Sequence, residues 1–113
     1  MDYISILKDI SIYPGISGHE QNLAKHIAKI FKKHCENVEI DEFSSVIGFK
    51  KGKPGTGKKV MVSAHIDEIG LMVKSIDDEG FIRVSNVGGV DSKVLLAQEV
   101  VVHGKKDVFG VIG

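Results

Sequence analysis

The sequence predicts an α/β chain whose first part mixes helices with strands and whose remainder is strand after strand. Three observations carry this reading. Apolar residues recur at helical spacing up to about residue 33. From Val38 onward they alternate with polar residues or gather in short β-prone runs. Both helix candidates precede residue 68, so the division falls there: residues 1–68 form one architectural unit and residues 69–113 begin another.

In the first unit, Tyr3, Ile6, Leu7 and Ile10 fall on one helical face, and Tyr13, Pro14 and Gly15 end the pattern with turn-forming residues. Ser17, Gly18, His19 and Glu20 match a capping box, in which the serine accepts from the start of a helix and the glutamate reaches back. A second helix is expected from that point. Its apolar face is Leu23, Ile27, Ile30 and Phe31, with Lys25, Lys29, Lys32 and Lys33 elsewhere and cations gathered where the dipole favours them. It should cover a sheet. Val38 and Ile40 alternate with Glu39 and Asp41, and 46–50 is a second short strand. After a polar, glycine-rich connection over 51–59, Val60 to Ile66 is apolar enough for a strand buried on both faces. In the second unit, 71–76, 81–85, 94–102 and 108–112 are β-prone, with Asp77 to Gly80 as a turn. The last residues have the character of mid-strand, so the fold is expected to continue past Gly113.

Composition is neutral about partners. Fifteen Lys and Arg balance fifteen Asp and Glu, so no global field favours nucleic acid or an anionic membrane. No apolar run approaches the ~20 residues that span a bilayer. With Cys35 alone, no internal disulfide can form, and the N-terminus lacks the basic start and apolar stretch of a secretion signal. These features point to a reducing cytoplasm.

Residues 52–58, Gly-Lys-Pro-Gly-Thr-Gly-Lys, fit seven positions of a phosphate-binding loop. Position eight is Lys59 rather than Ser or Thr, Pro54 removes an amide donor, and strands rather than a strand and a helix flank the segment. The expectation is a flexible basic hairpin loop. His65 and Asp67, two apart on a strand, share one face where a buried strand meets a loop. A neutral imidazole can ligate a metal there, and a nearby carboxylate can orient the ring or bind directly. The spacing alone favours a structural pair. His19 and His26 on the second helix, His34 at its end and His103 at a strand end read as surface residues, and Cys35 as an inert thiol.

Around this pair, residues 59–73 resemble the first metal-ligand segment of the glutamyl aminopeptidase and tetrahedral aminopeptidase family, which includes members described as cellulases. Residues 14–20, Pro-Gly-Ile-Ser-Gly-His-Glu, are similar to its N-terminal segment. Gly88-Gly89-Val90-Asp91, Gln98-Glu99-Val100 and Gly110 to Gly113 follow in the family's order. One departure is clear: the Gly-Asn pair usual after Asp41 is replaced by Ser44-Ser45, which bears on a local turn more than on chemistry.

The resemblance implies that residues 1–68 open an α/β catalytic domain like that of other zinc exopeptidases, and that 69–113 begin an inserted β-barrel dimerisation domain. It implies two divalent metals, zinc or cobalt, with His65 as a metal ligand and Asp67 as a catalytic residue that helps position it; Glu68 is not assigned. It further implies a peptide substrate whose N-terminal residue is removed, and a homo-oligomer of dimers assembled into a tetrahedral complex. The remaining ligands and the general base lie later in the family's chains, so residues 1–113 alone are expected to be inactive. A noncatalytic module that self-associates through strand edges is the rival reading, and a cellulase-like activity is a second.

Overall fold

The computed structural model describes residues 2–55 and 57–113. The chain is elongated, 66 × 29 × 25 Å, with a radius of gyration of 18.4 Å, against about 13 Å for a compact chain near this length. Its elements lie along that axis rather than around one core.

Helix α1 spans Tyr3–Ser11. Asp2 caps it, its carboxylate accepting from the Ile4 amide at 3.1 Å and the Ser5 amide at 3.2 Å. Helix α2 spans Gln21–Phe31 and buries Leu23, Ala24 and Ala28. Two of these are alanines, which lie beside the predicted stripe and let the helix sit close to its support. That support is the antiparallel hairpin of β1 (Asn37–Ile40) and β2 (Val46–Phe49), so α2 does cover a sheet.

The expected capping box does not form. Gly18, at φ +86°, turns the chain once more, and the helix starts at Gln21 with no side-chain cap. Glu20 instead accepts from the Gly18 amide at 2.8 Å. This frees Ser17 for another partner. His26 also departs from its expected surface role: it pairs with Asp9 at 2.6 Å and stacks on Tyr13 with ring centroids 4.9 Å apart, tying α1 to α2.

Between β1 and β2, the departure at Ser44-Ser45 is accommodated. Asp41 accepts from the Phe43 amide at 2.9 Å and the Ser45 amide at 2.8 Å, and Ser44 takes φ +66°. The turn therefore keeps a left-handed position of the kind Gly and Asn fill most readily.

The largest correction concerns Val60 to Ile66. This run pairs with no strand among the described residues, and Val60, Met61 and Val62 are 83%, 91% and 90% exposed. A strand buried on both faces needs flanking strands and covering layers, and the described residues supply neither. The 51–59 segment is accordingly a connection with a turn at Pro54 and Gly55, not a hairpin loop; Thr56 lies outside the described residues. Among the described residues the next element is a strand and no α-helix follows, which removes the context a phosphate-binding loop requires.

Residues 69–113 hold two further antiparallel hairpins, β3 (Gly70–Ile76) with β4 (Ile82–Val87), and β5 (Glu99–Val102) with β6 (Val108–Val111). The Asp77–Gly80 turn closes the first as expected, its side chain accepting from the Phe81 amide at 2.8 Å. Residues 94–102 are not one strand. A 3-10 turn over Ser92–Val94, capped by Asp91, is followed by Ala97 at φ +63° before β5 begins. Among the described residues the three sheets are separate and two-stranded.

Candidate functional site

Two segments far apart in sequence meet beside the start of β3. The Glu68 amide donates to the Gly15 carbonyl at 2.9 Å, and the Gly15 amide donates to Glu68 Oε1 at 3.1 Å. Ile16 and Glu68 form a parallel bridge. The approach depends on absent side chains: a Cβ on Gly70 would collide with Ile16 Cγ2, and one on Gly15 would stand 2.9 Å from Leu23 Cδ2.

This stitching delivers Ser17 to Asp67. The Ser17 hydroxyl donates to Asp67 Oδ2 at 2.5 Å, while Asp67 Oδ1 lies 3.1 Å from His65 Nδ1. His65 Nδ1 is also 3.0 Å from the Asp67 carbonyl. Both partners of Nδ1 are acceptors, so that nitrogen carries the proton. A neutral ring so held presents its lone pair on Nε2. The side chain of His65 is 87% exposed and that of Asp67 38%. The Ser17 hydroxyl, foremost, with the hydrogen bond from His65 beside it, holds the Asp67 carboxyl below the usual carboxylate range against a smaller opposing effect of burial.

His65 and Asp67 are thus brought together as the sequence expects, though by a loop rather than by one face of a paired strand. A serine hydroxyl, a carboxylate and an imidazole in series are the donor chemistry of an oriented metal-ligating histidine. They fit one corner of a metal site. Among the described residues, no group of three or more His, Cys, Asp or Glu side chains is placed to hold a metal ion. Beside His65, a hollow of about 350 Å³ opens between α1, α2 and residues 65–68, lined by Ile10, Tyr13, Leu23 and Ile27.

The other histidines stand apart. His103 Nδ1 pairs with Asp107 at 3.0 Å at the mouth of the β5–β6 hairpin, and His19 and His34 are exposed, His19 ahead of α2 rather than on it. Sequence reasoning missed Ser17 and the Gly15–Glu68 pair. Their bonds span 50 and 53 residues, and no local spacing encodes that separation.

Comparison with known proteins places these features in context. A family model described as M42 glutamyl aminopeptidase matches residues 44–113. The lysyl aminopeptidase of Pyrococcus furiosus is 39% identical over 110 residues, which cover 96% of this chain and 31% of that protein. Among solved structures, an aminopeptidase from the archaeon Desulfurococcus kamchatkensis superposes with a TM-score of 0.85 at 38% identity, covering 95% of this chain and 29% of that one. The dodecameric PhTET1-12s gives 0.83 at 35% identity, with coverage of 100% and 34%. An endoglucanase from Thermotoga maritima gives 0.76 at 34% identity, with coverage of 82% and 30%. The chain therefore spans about a third or less of the proteins it matches.

Proposed function

The chain belongs to the M42 glutamyl aminopeptidase family, and from that premise we propose that it forms the N-terminal portion of a metal-dependent aminopeptidase. His65 ligates one of two divalent cations, zinc or cobalt, through Nε2, and Asp67 orients it. The observation that carries this reading is the position of His65 Nδ1, 3.0 Å from the Asp67 carbonyl oxygen and 3.1 Å from its carboxylate, two groups that can only accept. Asp67 fixes the tautomer and makes the ring a better ligand. When bound, the cations supply polarisation of a peptide carbonyl and activation of water at neutral pH.

The apolar run at Val60, Met61 and Val62 supports the longer enzyme as the functional unit. Such contiguous apolar exposure is costly in water and marks a surface made to be covered. In this reading it becomes a central strand once later sequence supplies its neighbours, and that sequence brings the remaining ligands and the general base. Residues 1–68 open the catalytic domain, and the hairpins of 69–113 begin a β-barrel used in dimers and a larger tetrahedral assembly. The single cysteine suits a reducing cytoplasm, and the peptide substrate follows from the family.

The test is chelator-sensitive release of an N-terminal residue from aminoacyl substrates by the complete polypeptide, with none by residues 1–113 alone. Activity of the 113-residue chain would contradict the division of the site. The likeness to an endoglucanase favours a second reading, and hydrolysis of soluble cellulose in place of aminoacyl substrates would select it.

A further inference from the structure

Ser17 sits where the expected capping box would have used it on a helix, yet its hydroxyl is spent on a carboxylate 50 residues away. The segment that carries it is held independently of that bond, by the two hydrogen bonds between Gly15 and Glu68 and by Ile16 against Gly70. Ser17 is therefore presented to Asp67 from a fixed backbone. The two oxygens of Asp67 are divided between partners, Oδ2 accepting from Ser17 and Oδ1 facing His65. Rotation of the carboxylate would exchange or disengage them. A short hydrogen bond from a hydroxyl to an ionised carboxylate is among the stronger polar contacts a protein makes.

We infer that Ser17 is a positioning residue for the metal site: it fixes the plane of Asp67 so that Oδ1 stays on His65 Nδ1 and Nε2 stays free of its proton. The inference rests on the reading of His65 as a metal ligand. Without the hydroxyl, Asp67 turns away, the imidazole proton distributes over both nitrogens, and the population able to ligate falls. Ser17 touches neither substrate nor metal in this role. Outer partners of this kind typically change metal affinity about 10- to 100-fold when removed.

The test uses the complete polypeptide, stripped of metal and titrated with cobalt(II) against a competing chelator. Ser17→Ala is expected to weaken cobalt affinity about 10-fold, and Ser17→Thr to restore it. Ser17→Val has nearly the shape of Ser17→Thr without the hydroxyl, so this second pair separates the bond from general disruption of the fold. In an Asp67→Ala background, removing the Ser17 hydroxyl should cost nothing further. Wild-type affinity in Ser17→Ala, equal affinities for the Thr and Val variants, or an undiminished effect in the Asp67→Ala background would overturn the inference. His65→Ala in the same series isolates the underlying reading: if it keeps full cobalt stoichiometry, the ligand assignment fails, whatever Ser17 does.

Discussion

Replacing Gly70 by alanine should loosen the seam that brings residues 14–18 to residues 65–70. Gly70 has no positive φ, so its backbone accepts an alanine, and the change acts only through the added methyl. That methyl would collide with Ile16 Cγ2. Forcing one extra methyl into a filled contact costs about 1–3 kcal/mol, while the stiffer unfolded chain returns about 0.4–1 kcal/mol. At mid-range values, about 2 kcal/mol against about 0.7 kcal/mol, the net cost is about 1.3 kcal/mol. It falls on the Glu68 amide, which donates to Gly15 across the seam at 2.9 Å. Amide hydrogen exchange at Glu68 reads it directly, since local opening sets the protection, and exchange should quicken about 5- to 30-fold. Combining Gly70→Ala with Ile16→Ala removes the colliding Cγ2, so the double variant should lose less protection than the sum of the single losses. Unchanged exchange in Gly70→Ala, or strict additivity in the pair, would refute the reasoning.

Two further predictions concern the turn between β1 and β2. Ser44→Gly releases a left-handed backbone held at φ +66° and should raise stability by about 1 kcal/mol, measured by denaturant unfolding. Asp41 has its carboxyl held below the usual carboxylate range, chiefly by the Ser45 amide and further by the Ser45 hydroxyl and Phe43 amide, against an opposing effect of burial. A lowered folded pKa contributes stability that is present above the unfolded value and lost as pH falls through the folded one. The stability difference between the wild-type chain and Asp41→Asn should therefore shrink on acidification below about pH 5.

Local rules made most elements legible. Helical spacing gave α1 and α2, and alternation with turn residues gave the hairpins, because these depend on neighbours within a few residues. Where long-range contacts decide, the sequence was less informative. Ser17 and Glu20 satisfy the pattern of a capping box, yet the positive φ of Gly18 and the pull of Asp67 send them elsewhere. The Val60 to Ile66 run has the composition of a buried strand, but pairing needs partners that the described residues do not contain. His65 and Asp67 were legible as a pair through the long match of their flanks. The hydroxyl and glycines that hold them were not, because two segments 50 residues apart must meet before those contacts exist.

Metal content of purified complete polypeptides tests the central claim most directly. His65→Ala should lose bound divalent metal relative to the wild-type protein. His103→Ala, whose imidazole pairs only with Asp107 among the described residues, should retain it. Equal metal content in His65→Ala and wild type, or equal losses in the two variants, would contradict the account.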